Sequence, residues 1–133
     1  MRYLHTMVRV TDVDKSLDFY CKLLGMTELR RREDQAGRYT NIFLAANHDK
    51  GRGEAENAPL LELTYNWDPQ EYGGGRNFGH LAFEVDDLEA FAKQAAAKGY
   101  PLSDGPTTST SGSVFAFIDA PEGYEIELIQ APK

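Results

Sequence analysis

The sequence predicts an α+β fold made of two βαβββ modules in tandem, each with a curved mixed sheet. The segment HTMVRVTDVDKSLDFYCKLLG, which begins at His5, is similar to HLAFEVDDLEAFAKQAAAKG, which begins at His80. Each runs from an alternating strand through an aspartate into a helical stretch that a glycine closes. The kernel LELT, with Glu62, returns near the other end of the chain as IELI, with Glu127. Repetition of this kind indicates a duplicated supersecondary unit.

In the first module, a strand that begins at His5 and ends in Val10 is predicted by its alternating pattern. The helix lies between Asp12, a favourable N-cap, and Gly25, a favourable C-terminal cap. Its apolar stripe is Val13, Leu17, Tyr20 and Leu24. Three further strands are predicted at 27–33, 39–46 and 60–66. The polar segment 47–59, NHDKGRGEAENAP, predicts a mobile loop in which His48 is solvated rather than a ligand.

The second module repeats this order. Its first strand runs from His80 to Val85, and its helix lies between Asp86 or Asp87 and Gly99. The apolar stripe of this helix is Leu88, Phe91 and Ala95. The further strands are predicted at 101–103, 113–119 and 124–130. Because the Gly-rich segment EYGGGRNFG separates the repeats, we expect one domain made of modules at about 1–70 and 76–133.

Composition narrows the classes of function. The 133 residues carry a formal net charge of -7, which argues against non-specific binding to nucleic acid or to an anionic membrane. The longest apolar runs are too short to span a bilayer, and no leader sequence is evident. A single cysteine, Cys21, precludes an internal disulfide and is typical of a reducing cytoplasm. We therefore expect a cytoplasmic protein with no nucleic-acid or membrane partner, and Cys21 as an apolar filler on a helix.

Strand parity places four chemically useful side chains on one face. Because side chains alternate across a strand, His5, Glu62, His80 and Glu127 lie opposite the apolar face that the helices cover. The polar face also carries apolar residues, as a ligand site does. They are Tyr3, Met7, Phe78, Ala82 and Ile129. Two imidazoles and two carboxylates without a thiolate suit Ni, Co, Fe, Mn or Zn in a catalytic site with open positions.

Four segments carry a resemblance to a known family, and together they span nearly the whole chain. They are LHTMVRVTDVDKSLDFYCKLLGM, LELTYNW, FGHLAFEV and PEGYEIELI. They resemble glyoxalase I, the lactoylglutathione lyases of the vicinal-oxygen-chelate superfamily. The resemblance implies isomerisation of the hemithioacetal of glutathione and methylglyoxal to S-lactoylglutathione by proton transfer through an enediolate. A divalent ion would stabilise the enediolate charge. By carry-over, His5, Glu62, His80 and Glu127 would be the metal ligands.

The resemblance also implies how the site is assembled. It would form at a homodimer interface, with His5 and Glu62 from one chain and His80 and Glu127 from the other. Glu127 would be the catalytic base and Glu62 would assist it. The short chain favours nickel over cobalt or zinc.

The resemblance also implies that three residues hold the γ-glutamyl carboxylate of glutathione, because they stand at positions that match the family's. These are Arg9, Asn66 and Arg76. Parity agrees for two of them, since Arg9 shares the face of His5 and Asn66 that of Glu62. Many relatives place a basic residue in the loop before the penultimate strand, against the glycyl carboxylate. Here that loop is GPTTSTSGS, so hydroxyl and backbone N–H groups would replace the cation. The run of arginines at 30–32 reads as a solvated strand edge.

Other functions remain possible on the same fold. An extradiol dioxygenase would use His5, His80 and Glu127 around Fe(II), but Glu62 would then occupy a position that oxygen or catechol needs. An epimerase of acyl-CoA esters would not explain Arg9, Asn66 and Arg76 together. A non-catalytic binding or drug-sequestering protein would need only the pocket and not four ligands.

Overall fold

The computed structural model describes residues 1–56, 58–73, 75 and 78–133. The chain forms two compact units, Met1–Tyr72 and Gly73–Lys133. Arg76, predicted to bind substrate, lies outside the described residues. Across the part of the chain described, the helices are too short or too polar to traverse a lipid bilayer.

The first unit is a βαβββ module with a four-stranded mixed sheet, in the order β1-β4-β3-β2. Strand β1 pairs with β4 in parallel, and β3 pairs antiparallel with both β4 and β2. Its elements are β1 (His5–Val10), α1 (Val13–Leu17), a π-helix (Asp18–Leu23), β2 (Thr27–Asp34), β3 (Tyr39–Ala45), a 3-10 turn (Asn47–Asp49), α2 (Lys50–Glu56) and β4 (Leu60–Asn66).

The second unit repeats this topology with the strand order β5-β8-β7-β6. The parallel pair is β5 with β8. Its elements are β5 (His80–Glu84), α3 (Leu88–Ala97), β6 (Asp104–Thr108), β7 (Val114–Asp119), a 3-10 turn (Pro121–Gly123) and β8 (Glu125–Gln130). Two mixed four-stranded sheets with helices confirm the predicted tandem fold class.

The strand predicted at 101–103 is wrong. Sheet pairing begins only where the Ser103 amide donates to the Phe117 carbonyl, at 2.8 Å. Strand β6 then continues through Gly105 and Pro106, two residue types that usually mark turns. A register shift between Asp104 and Thr107 accommodates them at this outer strand, where proline is tolerated.

The apolar faces follow the predicted alternation. In the first unit Val8, Val10 and Leu63 are buried, and in the second Ile126 and Leu128 are fully buried. Each N-cap is also as predicted, because the side chains of Asp12 and Asp87 accept from backbone amides three residues later. The opposite face of each sheet is therefore the one left for chemistry.

The buried stripe of the first helix differs from the prediction. Phe19 and Tyr20 are fully buried and Leu23 is nearly so, whereas Leu17 and Leu24 are only half-buried. The cause is the π-helical stretch Asp18–Leu23. Its wider turn rotates the following side chains relative to a helix with 3.6 residues per turn.

The segment predicted as a mobile loop contains α2. Its sequence KGRGEAE lacks apolar periodicity, which is why no helix is expected from it. The residue that α2 buries is Gly53, beside Leu29, Leu60 and Ala45. Because glycine has no side chain, the helix lies close to the sheet at this point.

We expect Gly53→Ala to lower the free energy of unfolding, although alanine favours helices. A Cβ there would lie 2.8 Å from Leu29 Cδ1 and 2.9 Å from Leu60 Cδ2. Overpacking of this kind costs about 1–3 kcal/mol, against a propensity gain of about 1 kcal/mol. Urea unfolding measures the difference. Gly51→Ala is the matched control in the same helix, because nothing lies within 4 Å of its added Cβ; a loss of stability as large in this control would contradict the packing explanation.

Candidate metal centre

His5 and Glu62 lie side by side on the parallel strands β1 and β4. The strand register pairs Met7 with Glu62 and His5 with Leu60, so the histidine stands two residues before the partner of the glutamate. His5 Nε2 lies 3.1 Å from Glu62 Oε2. The Glu62 side chain is 12% exposed and that of His5 is 40% exposed. A largely buried carboxylate therefore faces an accessible imidazole.

His80 and Glu127 repeat the arrangement in the second unit. Strand register pairs Ala82 with Glu127 and His80 with Glu125, which is the same two-residue offset. His80 Nε2 lies 3.0 Å from Glu127 Oε2. The exposed fractions, 42% for His80 and 19% for Glu127, are close to those of the first pair. The sequence repeat therefore reproduces a chemical unit as well as a fold.

A phenylalanine packs against the histidine of each pair. The predictions from sequence covered only the four ligands and did not identify these phenylalanines. Phe43 is paired with Glu62 in the sheet register and meets the His5 ring edge-on at 6.0 Å. Phe117 is paired with Glu127 and meets the His80 ring edge-on at 5.6 Å. Aligning NIFLAA with VFAFIDA in the two modules would have found both residues. Their rings restrict the orientation of the imidazoles.

The donor atoms of each pair fit a divalent ion. Two ligands that bind an ion at right angles, each at about 2.1 Å, are about 3.0 Å apart, close to the distance between nitrogen and oxygen in both pairs. Neutral imidazole with carboxylate is a common donor set for nickel, cobalt and zinc. Each pair offers one nitrogen donor and one oxygen donor. Among the described residues, no group of three or more His, Cys, Asp and Glu side chains that could hold a metal is found.

Arg9 and Asn66, two of the residues predicted to bind substrate, contact each other. Arg9 Nη1 donates to Asn66 Oδ1 at 2.9 Å. A second donor to the same oxygen, which the sequence did not reveal, is the hydroxyl of Tyr72 at 3.0 Å. Asn66 and Tyr72 border a cavity of ≈ 210 Å³ beside the ends of β1 and β4. The first unit thus offers a polar pocket next to its sheet face.

The arginine run at 30–32 is exposed on the outer strand β2, which confirms the predicted solvated edge. Arg31 pairs with Glu28 and Arg32 with Asp34, as surface residues do. Arg30 differs, because its guanidinium carbon lies 4.2 Å from the centre of the Phe43 ring. That stacking places a cation on the same side of the sheet as the ring that contacts His5.

The loop between β6 and β7 presents hydroxyl groups. Ser109 Oγ lies 2.8 Å from Ser111 Oγ and 2.7 Å from Ser113 Oγ. The segment 105–113 contains no basic residue. Any anion that reaches this loop meets hydroxyl and backbone donors instead of a cation.

Comparisons with known proteins agree with this architecture. The Glyoxalase/Bleomycin resistance protein/Dioxygenase superfamily model matches residues 2–128. A lactoylglutathione lyase of Neisseria meningitidis is 42% identical over 131 residues, which cover 98% of this chain and 91% of the relative. A lactoylglutathione lyase of Haemophilus influenzae is 41% identical over 132 residues, covering 98% and 93%.

Solved structures are similar over nearly the whole chain. Glyoxalase I from Zea mays superposes with a TM-score of 0.84 at 35% identity, covering 99% of this chain and 45% of the maize chain. A trypanothione-dependent glyoxalase I from Leishmania major gives a TM-score of 0.81 at 35% identity, covering 98% and 86%. These similarities confirm the vicinal-oxygen-chelate fold expected from the sequence.

Proposed function

Because the chain belongs to the Glyoxalase/Bleomycin resistance protein/Dioxygenase superfamily, we propose that it is a lactoylglutathione lyase that acts on the hemithioacetal of glutathione and methylglyoxal. The observation that carries the proposal is the pair of equivalent His–Glu contacts, 3.1 Å and 3.0 Å, at the same register in both units. The relatives that are 41–42% identical and bear this activity in their names support it.

The four ligands in this proposal are His5, Glu62, His80 and Glu127, and together they hold one divalent ion per site. One subunit of a homodimer contributes the first pair and the other subunit the second. When bound, the ion supplies positive charge that stabilises the negative charge developing on the substrate oxygens. Nickel is the proposed ion, with cobalt and zinc as alternatives, because the chain resembles the short members of the family.

Glu127 is the proposed base. Its carboxylate takes the C–H proton from the carbon that carries sulfur and delivers it to the neighbouring carbonyl carbon. The hydroxyl proton of the first carbon passes to the oxygen of the second, so the reaction is an isomerisation without net redox change. His80 Nε2 lies 3.0 Å from this carboxylate on β8, and the Phe117 ring packs edge-on against the His80 ring. Glu62 lies in the equivalent position of the other module and assists from the opposite side of the substrate. A carboxylate that is only 19% exposed is shielded from most bulk water, which keeps the proton with the substrate.

Arg9 and Asn66 bind the γ-glutamyl carboxylate in this proposal. The hydroxyl and backbone N–H groups of loop 105–113 donate to the glycyl carboxylate. An acidic protein binds a peptide with two carboxylates only where donors are placed locally. The guanidinium of Arg9 and the amide of Asn66 form such a place. Arg76, outside the described residues, remains a proposed third donor on sequence grounds.

Metal removal and replacement test the proposed function directly. We expect chelation to abolish conversion of the preformed hemithioacetal, read as the absorbance of the thioester product. Incubation with nickel, cobalt or zinc should restore it, with one ion per site by elemental analysis. The chelated protein kept without metal is the control. Full turnover in a metal-free sample, or none with any of the three ions, would contradict the proposal.

A further inference from the structure

The amide oxygen of Asn66 has both of its acceptor positions filled. Arg9 Nη1 donates to Oδ1 at 2.9 Å, and the Tyr72 hydroxyl donates to the same atom at 3.0 Å. A carbonyl oxygen has two lone pairs, so these two donors use its capacity. The Tyr72 hydroxyl also lies 3.3 Å from Gln70 Oε1, the longer of its two contacts. It follows that Asn66 contributes to a ligand through its amide nitrogen, which is a donor.

The segment 67–72, which ends at Tyr72, is attached at its start to Arg38 and Thr40. The Trp67 amide donates to the Arg38 carbonyl at 2.9 Å, and Trp67 Nε1 donates to Thr40 Oγ1 at 2.9 Å. Arg38 in turn grips Asp68 with two donors, Nη2 at 2.9 Å and Nε at 3.1 Å. This bidentate contact holds the pKa of the Asp68 carboxyl below its usual value. These contacts fix the start of the segment at Trp67 and Asp68, and the hydroxyl contact of Tyr72 with Asn66 holds its end.

The pocket beside this contact offers neutral polar groups to a ligand. Its ≈ 210 Å³ is bounded by the ends of β1 and β4 and by segment 67–72, with Thr11, Asn66, Gln70 and Tyr72 among its polar lining. No carboxylate side chain is among the described residues that line it. A carboxylate-sized group therefore finds polar donors there and meets no like charge from the lining.

We infer that Tyr72 is a positioning residue, which fixes the Asn66 amide so that Nδ2 and the Arg9 guanidinium donate together to a ligand carboxylate. The inference rests on the proposed function for the identity of that ligand. Without the hydroxyl, only the Arg9 contact orients the amide. The amide then turns more readily about its last side-chain bond and presents its oxygen, which repels a carboxylate. Tyr72 thus acts through Asn66 and touches neither the reacting atoms nor the metal ligands.

Binding of S-methylglutathione, a thioether that cannot react, tests this inference without turnover. By calorimetry we expect Tyr72→Phe to raise Kd about fivefold to tenfold, the effect of one lost hydrogen bond. The matched control is Tyr39→Phe. Its backbone pairs with that of Asn66, but its hydroxyl donates to Asp34, so its Kd should be unchanged. An unchanged Kd in Tyr72→Phe, with the unchanged protein binding well, would overturn the inference and leave the proposed function standing.

Two further variants separate positioning from general packing. If Tyr72 acts through the amide, Tyr72→Phe should add nothing in an Asn66→Ala background, whereas a packing defect would persist there. Asn66→Asp keeps the oxygen that Arg9 and Tyr72 hold but replaces Nδ2 by a second oxygen. We expect its Kd to rise about 100-fold or more, because a donor becomes a repelling charge. Equal or tighter binding by Asn66→Asp would show that Asn66 acts as an acceptor and would overturn the inference.

Failure of the proposed function gives a different pattern. If the unchanged protein does not bind S-methylglutathione, the proposed function and this inference both fall. If it binds, the two are decided separately, the function by turnover of the hemithioacetal and the role of Tyr72 by the variants.

The side-chain amide resonances of Asn66, identified by their loss in Asn66→Ala, give a readout without ligand. They should shift and broaden in Tyr72→Phe and stay in place in Tyr39→Phe.

Discussion

Glu127→Gln is expected to abolish measurable turnover while the protein stays folded. Glutamine has nearly the same shape and still reaches His80, but its amide cannot accept the proton that the reaction moves. General base catalysis contributes about 10²–10⁴-fold to a rate, and loss of the charge of a proposed metal ligand adds to this. We therefore expect kcat to fall about 10³-fold or more, measured as thioester formation on the preformed hemithioacetal, with an unchanged far-ultraviolet circular dichroism spectrum.

The control for this prediction is Glu125→Gln on the same strand. Glu125 is exposed and lies two residues before Glu127 on the same face of β8. The same loss of charge at this neighbouring position should leave kcat within about twofold. Elemental analysis separates the two roles of Glu127. A variant that retains its metal and is inactive has lost the base, whereas one that loses the metal has lost a ligand. Near-normal turnover in Glu127→Gln would remove this residue from the mechanism.

The two His–Glu pairs were accessible to sequence reasoning because they depend on local rules. Side chains alternate along a strand, so the faces of Glu62 and Glu127 follow once the strands are recognised. The repeat then supplies what one strand cannot, since the same histidine and glutamate return in the same order. The structure brings each histidine to within 3.1 Å of the glutamate of its own module. That all four residues share one ion stays a prediction.

The features that sequence reasoning missed depend on contacts between distant parts of the chain. Helix α2 buries a glycine, so its buried face has no apolar side chain to give a periodic signal. The π-helical stretch after α1 changes which side chains are buried without changing the apolar composition. Tyr72 reaches Asn66 only because segment 67–72 folds back beside β4, and that path is set by Arg38 and Thr40 from another part of the unit. Such contacts leave no periodic pattern in the sequence.

His5→Ala and His80→Ala are each expected to abolish turnover when they are the only chain present, because every site then lacks one of the two proposed imidazole ligands. Each loss should exceed about 10²-fold, since removing a direct ligand weakens metal binding at least as much as removing an outer partner does. Circular dichroism should be unchanged in both, because the two imidazoles are more than a third exposed and their removal leaves the apolar faces of the sheets intact.

Mixing these two inactive proteins should restore activity if the ligand pairs of one site come from different subunits. In the mixed dimer, one site combines both mutated pairs and the other combines His5 and Glu62 of one chain with His80 and Glu127 of the other, all intact. Random reassociation makes about half of the dimers mixed, and half of their sites are complete, so about one quarter of the unmutated activity should return. A mixture of two preparations of His5→Ala is the control and should stay inactive. If sites were built within single chains, mixing would restore no activity. An inactive mixture that contains verified mixed dimers would therefore contradict the shared site. Each His–Glu pair would then act within its own chain.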